Sequence, residues 1–328
     1  MKNKPIIIVA GEPYSVFLEV YFKSLKRKNI KNLKQPILII CSSLLIKRQM
    51  KTLKYNYKIN EISFNQILNL PKKKNQINVF NVDFKFNKTF DKISSKSNAY
   101  LEACFSSALK IMSKYKLKFL INGPISKKYF LKKKYPGMTE YFASKIKMSN
   151  HEVMLIYSNQ LSVSPITTHV PLKNIFGKIS IKKIVKNTQI IHNFYTKNLR
   201  KKPKIALTGL NPHCETSSNY SEEKEILEPA IKQLLKKNIN ISGPFPADTL
   251  FIKKNLKKFN VVIGMYHDQV LTPIKTIYEF KAINITLGLP FLRITPDHGP
   301  NNDMLGKNLS NPDSLIEAFN FIKSNSAN

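Results

Sequence analysis

The chain has 328 residues, 42% of them hydrophobic, and a formal net charge of +34. That length supports one large or two modest domains with real cores, and no apolar run approaches the ~20 residues that span a bilayer. The charge invites a nucleic-acid partner, but the excess is almost wholly lysine spread along the chain, with arginine only at Arg27, Arg48, Arg200 and Arg293; a solvated basic surface that helps draw in a phosphorylated or carboxylated substrate is the reading taken.

The elements alternate along the chain. A short apolar run over 5–10, too brief for a signal peptide and followed at once by Glu12, reads as a first strand turning at Gly11-Glu12-Pro13. A helix follows over 14–28, with Phe17, Leu18, Val20, Tyr21 and Leu25 at helical spacing. A strand over 36–40 leads to Ser42 or Ser43, either able to cap a helix reaching residue 53. A strand over 77–84 precedes a helix over 97–115, whose Leu101, Phe105, Ala108, Leu109 and Met112 share one face. A strand over 119–121 ends at Asn122-Gly123-Pro124, and two helical stretches, 126–131 and 139–148, are joined by Pro136-Gly137.

Strands over 153–157 and 161–168 follow, the second running into His169, then a helix over 180–199 with Ser180 as its cap. A strand over 204–208 enters Gly209-Leu210-Asn211-Pro212-His213, and helices are predicted over 222–235 and from 247 to 252. The apolar run Val261-Val262-Ile263-Gly264-Met265 then releases Tyr266-His267-Asp268-Gln269, and a last helix covers 312–322. Repeated strand, helix, strand order predicts an α/β fold with a largely parallel sheet. No internal repeat or low-complexity linker interrupts it. The three cysteines, Cys41, Cys104 and Cys214, form no Cys-x-x-Cys pair, which argues for a reducing cytoplasm.

Three predicted strands lead into His169, His213 and His267. In a parallel sheet such ends lie along one edge. Three imidazoles converging there would make an open metal site, with Asp268 able to ligate, orient or move a proton. Taken singly, each histidine reads better as a buried, hydrogen-bonded core residue or a helix cap; it is the three in similar positions that favour the metal. His192 lies inside a helix, and His151 and His298 lack this context. For anion capture, Lys275 and Arg293 flank Asn284, and Thr139 stands at a helix start after Gly137. Lys275 alone means little among so many lysines. Arg293 says more, its bland alternative being an ion pair with Asp297 or another acid. No Gly-x-Gly-x-x-Gly, Walker loop or Gly-x-Ser-x-Gly occurs. These features point to a metal-dependent α/β enzyme acting on a small anion, without specifying a nucleotide.

Longer motifs now matter. Gly209-Leu-Asn-Pro-His213, Gly243-Pro-Phe-Pro-Ala-Asp-Thr-Leu-Phe251, Met265-Tyr-His-Asp-Gln269, Asn284-Ile-Thr-Leu-Gly-Leu-Pro-Phe-Leu-Arg293 and Asp297-His-Gly299 closely resemble the PdxA family, the 4-hydroxythreonine-4-phosphate dehydrogenases of vitamin B6 synthesis. Thr168-His169-Val-Pro-Leu172, Asn122-Gly-Pro-Ile-Ser-Lys127 and Gly137-Met-Thr-Glu140 fit the same family, so the resemblance covers nearly the whole chain.

The resemblance implies an α/β/α fold like isocitrate and isopropylmalate dehydrogenases, with two subdomains around a cleft, expected over 1–126 plus 301–328 and over 127–300. It implies a cytoplasmic homodimer whose metal site is shared between subunits, with no nucleic acid or membrane partner. The implied reaction is NAD- or NADP-dependent oxidation of 4-phosphooxy-L-threonine at C3, giving 2-amino-3-oxo-4-phosphooxybutanoate, which loses CO2 to form 3-amino-2-oxopropyl phosphate. His169, His213 and His267 match the ligands of a divalent metal (zinc, magnesium or cobalt). Thr139, Lys275, Asn284 and Arg293 match substrate-binding positions, and Asp248 and Asp268 match supporting acids. The proton acceptor stays open between a metal-bound hydroxide and Asp248.

Three stretches depart from the family pattern. Met138 stands where the family usually has a substrate-binding histidine. Tyr14-Ser15-Val16-Phe17 and Cys214-Glu215-Thr216-Ser217-Ser218-Asn219-Tyr220 replace turns that are normally glycine-rich. Met138 keeps open a paralogue acting on another 4-phosphorylated hydroxy acid, a threonate or erythronate phosphate.

Overall fold

Short runs of branched apolar residues set the strands. In the computed structural model, which describes residues 4–132, 134–215, 220–279, 282–296 and 298–326, they are β1 Ile6–Val9, β2 Ile37–Cys41, β3 Lys58–Glu61, β4 Gln76–Asn81, β5 Phe119–Asn122, β6 Val153–Tyr157, β7 Ser162–Thr167, β8 Ile205–Thr208, β9 Ile241–Phe245, β10 Val261–Tyr266, β11 Ile283–Leu287 and β12 Leu292–Pro296. The α/β class expected from the sequence holds. No helix among the described residues is long and apolar enough to cross a membrane.

The chain divides into two compact units, 1–149 with 289–328 and 150–288. In the first unit the strands run in the order β3-β4-β2-β1-β5-β12, every neighbouring pair parallel. The helix Asn98–Tyr115 buries Leu101, Phe105, Ala108 and Met112 in the same apolar cluster as Ile7, Val9 and Leu38. That is the face expected from 3.6-residue spacing, except that Leu109 lies only partly buried at its margin. In the second unit the order is β11-β6-β7-β10-β8-β9. Here β6 is antiparallel to both β11 and β7, while β7, β10, β8 and β9 are mutually parallel along the row. The sheet is therefore largely, not wholly, parallel.

The units divide after 149 and after 288, where the sequence suggested 126 and 300. The reason is packing: Leu131, Met138, Tyr141 and Phe142 are buried in the first unit's core cluster, together with Phe291. Other expected boundaries shift for local reasons. The first helix begins only at Phe17, because Gly11 takes φ 78° and the Ser15 hydroxyl donates to the Glu12 carbonyl, making a turn of the preceding residues. The helix expected over 222–235 is a π turn, Glu223–Leu227, followed by an α-helix, Glu228–Leu235. Pro229 has no N–H to give a regular i−4 bond at that junction. The helix His267–Tyr278 carries Pro273 inside it, which hides it from sequence patterning.

Candidate active site

Two clusters of site residues form, one in each unit. In the first, Arg293 lies on β12 beside β5, in register with Leu120, and is 2% exposed. Its Nε donates to Asn122 Oδ1 at 2.7 Å, and Nη1 stands 3.5 Å from the Thr139 hydroxyl. The guanidinium lies over the Phe142 ring, 5.0 Å from its centroid. Burial pulls its pKa down to about 9, with Glu140 acting the other way, so it stays charged at neutral pH. Asn122 is itself fixed: Thr295 Oγ1 also donates to Oδ1 at 3.1 Å, and its Nδ2 donates to the Gly123 carbonyl at 2.9 Å. Thr139 opens the helix Met138–Lys145, with Gly137 as N-cap. A buried cation at a helix start is built to hold an oxyanion. Asp297, the expected bland partner of Arg293, falls outside the described residues.

Met138 is 9% exposed and belongs to the apolar core cluster. A thioether there is held by packing, in a place where an imidazole would need a polar partner.

In the second unit, β7, β10 and β8 are parallel neighbours, so their C-terminal ends share an edge. The register Tyr266↔Thr167 brings His267 and the segment leading to His169 side by side. Their ring centroids are 5.8 Å apart at an interplanar angle of 36°. Two imidazoles bound to one ion at ordinary metal–nitrogen distances have centroids roughly 5–6 Å apart. His267 Nδ1 is 2.6 Å from Asp268 Oδ1. With the carboxylate accepting, Nδ1 holds the proton and Nε2 is left as a donor atom for a ligand.

His213 is placed differently. It sits five residues beyond β8, in the turn Pro212–Cys214 at φ 54°, with its side chain 72% exposed and Nδ1 3.8 Å from Asp248 Oδ2. Asp248 belongs to the short helix Ala247–Leu250. Among the described residues no group of three or more His, Cys, Asp or Glu is placed to hold a metal ion. A three-histidine site within one chain is therefore not assembled. Lys275 is exposed in the last turn of the helix that His267 begins, two helical turns away. Asn284 lies on β11 opposite Ile156, and its buried Oδ1 has no hydrogen-bond partner among the described residues.

Two residues that sequence reasoning passed over position these ends. Gln269 Oε1 accepts from the Met265 N–H at 2.7 Å and the Thr208 hydroxyl at 2.8 Å, and its Nε2 donates to the Gly209 carbonyl at 2.7 Å. It ties the end of β10 to the end of β8. Glu223, 2% exposed, accepts from the N–H groups of Leu210 and Asn211, from Asn211 Nδ2 and from the Ser221 hydroxyl, at 2.8–3.1 Å. Burial alone would raise its pKa, but these bonds outweigh burial and lower it. In a chain with only 20 acidic residues, a glutamate just beyond the Gly209–His213 motif was the available signal.

The glycine-poor turns are filled by side chains. Tyr14, Val16 and Phe17 are buried, and Phe17 stacks on His298 with centroids 6.3 Å apart. At the other turn, His213 and Cys214 are consecutive non-glycine residues at positive φ, 54° and 61°. Gly209 is required there, since a Cβ on it would come within 2.5 Å of Cys214 Sγ. Burial, with Glu223 nearby, raises the Cys214 pKa, so it is held as a thiol, not a reactive thiolate. Residues 216–219 of that loop lie outside the described residues.

The chain is similar to several known proteins. A family model described as "Pyridoxal phosphate biosynthetic protein PdxA" matches residues 32–322. A 4-hydroxythreonine-4-phosphate dehydrogenase from Sulfurihydrogenibium sp. (strain YO3AOP1) is 34% identical over 318 residues, covering 95% of each chain. A relative from Oceanobacillus iheyensis, provisionally named D-threonate 4-phosphate dehydrogenase, is 31% identical over 97% of each chain. Among solved structures, a 4-hydroxythreonine-4-phosphate dehydrogenase from Klebsiella pneumoniae superposes with TM-score 0.85 at 22% identity, covering 99% of each chain. An isocitrate dehydrogenase from Methylococcus capsulatus gives TM-score 0.50 at 9% identity over 97% of this chain and 84% of that one, a likeness of fold alone.

Proposed function

This chain belongs to the PdxA family, oxidoreductases of pyridoxal phosphate biosynthesis, and on that premise we propose that it oxidises 4-phosphooxy-L-threonine at its C3 hydroxyl with NAD or NADP, the product then losing CO2 to give 3-amino-2-oxopropyl phosphate. The observation that carries the reading is the pairing of His169 and His267 at the ends of adjacent parallel strands, 5.8 Å between centroids, within a family of dehydrogenases that act on a phosphorylated hydroxy amino acid.

The proposed roles follow from each side chain's surroundings. Arg293 supplies a buried fork, charged at neutral pH, for an oxyanion, and low local polarity strengthens each bond it makes. Thr139 adds a hydroxyl beside it. Asn284 offers a buried amide oxygen, unsatisfied among the described residues, to a donor on the substrate, and Lys275 an exposed cation. Asp268 orients His267 through Nδ1, and Asp248 takes the proton from the C3 hydroxyl. The donor set suits a divalent metal held by His169 and His267, with His213 supplied by a second copy in a homodimer, since one chain does not gather all three. When bound, the metal would lower the hydroxyl pKa and steady the enolate left by CO2, and the nicotinamide would accept the hydride. Remote binding of the phosphate orients C3 for that transfer.

Purified protein given 4-phosphooxy-L-threonine, NAD or NADP, and zinc, magnesium or cobalt should form reduced cofactor and CO2. No reduced cofactor under any combination would overturn the reading. Met138 and the Oceanobacillus iheyensis relative favour one second reading, a 4-phosphorylated threonate or erythronate as substrate. A kcat/KM for D-threonate 4-phosphate above that for 4-phosphooxy-L-threonine would establish it instead.

A further inference from the structure

The first unit contains a cavity of about 580 Å³ that none of the candidate active-site residues lines. Ile37 and Gln76, the first residues of β2 and β4, line it. It therefore lies at the N-terminal edge of a parallel sheet whose C-terminal edge carries Asn122. Its wall is apolar and aromatic, with Tyr21, Leu25, Ile30, Ile77 and the ring of Tyr57. Its polar floor is rigid: Asn78 Nδ2 donates to the Pro71 carbonyl at 2.9 Å and Oδ1 accepts from Asn60 Nδ2 at 2.9 Å.

Two features ask for a ligand. Lys31, Lys72, Lys73 and Lys74 all line the cavity, and no lining residue is acidic. Their mutual repulsion is relieved by an anion, and several amines match a dianion better than a single negative charge. Lys72 is already held by the Leu33 carbonyl, leaving the others to meet it. Tyr21 is 1% exposed, and its hydroxyl makes no hydrogen bond among the described residues. A buried phenol of this kind gains by meeting a polar atom of a guest.

We propose that this cavity is a second binding site, separate from the active site, for a small molecule with an aromatic body and a terminal phosphate monoester. The volume falls within the roughly 300–1,000 Å³ of small-molecule sites. The body covers the tyrosine and isoleucine wall, and the phosphate sits among the lysines.

Pyridoxine 5′-phosphate is a suitable probe, because it has this shape and lacks the aldehyde with which any surface lysine could react. Calorimetric titration of the full-length protein should show saturable binding that survives saturating 4-phosphooxy-L-threonine. Unphosphorylated pyridoxine and inorganic phosphate should each bind at least tenfold more weakly. The double variant Lys73→Gln/Lys74→Gln should weaken binding about tenfold or more, and Tyr21→Phe about threefold, while Lys236→Gln/Lys237→Gln, on the other unit, should leave it unchanged. Absence of saturable binding, displacement by 4-phosphooxy-L-threonine, or an equal loss in the Lys236/Lys237 variant would overturn the proposal. The comparison of the Lys73/Lys74, Tyr21 and Lys236/Lys237 variants is independent of which substrate the active site turns over.

Discussion

Glu12 offers the sharpest quantitative test. It stands in the turn after β1, is 2% exposed, and its N–H donates to the Pro124 carbonyl at 2.9 Å, two residues beyond the asparagine that holds Arg293. Burial raises its carboxyl from 4.5 to about 7; Ser97 and the Tyr14 N–H pull the other way, but neither closes a hydrogen bond of normal geometry. The folded chain therefore binds this proton more tightly than the unfolded chain. The associated stability is fully present below the unfolded value and is lost as pH rises through about 7. At about 1.4 kcal/mol per tenfold, the displacement is worth about 3 kcal/mol. Glu12→Gln keeps the shape and removes the ionisation. Urea unfolding followed by circular dichroism should give matching stabilities for parent and variant at about pH 4 and below, with the variant more stable by up to about 3 kcal/mol near about pH 8. Parallel stability curves across that range would refute the reasoning, because the carboxyl would then not be the group that titrates.

Other side chains give further tests. His267→Ala should abolish turnover and lower bound metal, with folding retained, because the ring is partly exposed and ends a strand without filling the core; metal content and activity measured together check this. Glu223→Gln should cost about 1.5–3 kcal/mol near neutral pH, the scale of hydrogen bonds to a buried charge. Since its folded pKa is depressed, that cost should fade as acid protonates the parent's carboxylate, which unfolding titrations in acid would show. Met138→His should tighten 4-phosphooxy-L-threonine, read as a lower KM, if the missing imidazole contact matters. It should also cost about 1–3 kcal/mol of stability, because the side chain enters an apolar cluster. An unchanged KM would mean that the pocket around Thr139 has compensated.

The parts of this molecule legible in its sequence were those written in local pattern. Ser42 and Ser180 do cap their helices, accepting from the N–H groups of Leu45 and Lys183. The apolar face from Leu101 to Met112 is buried, and the three histidine-bearing strand ends are neighbours. Scarcity also carried information: Arg293 is fully enclosed, while most lysines lie on the surface. What could not be read depends on contacts distant in sequence. Nothing local marks Gln269 as the link between two strand ends, or shows that His213 sits in an exposed turn beside Asp248. β3, with the sequence Lys-Ile-Asn-Glu, is an exposed edge strand with almost no apolar signature. β9 contains Gly-Pro, which sequence rules count against a strand.

The path of the chain through the two units has a consequence for synthesis. The second unit is one uninterrupted segment, whereas the first is completed only by residues from 289 onward. On a ribosome, β5 emerges long before β12, its parallel partner. The β5 edge that meets β12 must therefore wait, unpaired, while the whole of the second unit is made, and Arg293 reaches Asn122 only after that. The second unit can fold as it emerges, and the first must remain open until then. Newly made chains are thus most vulnerable to aggregation and proteolysis in the first unit.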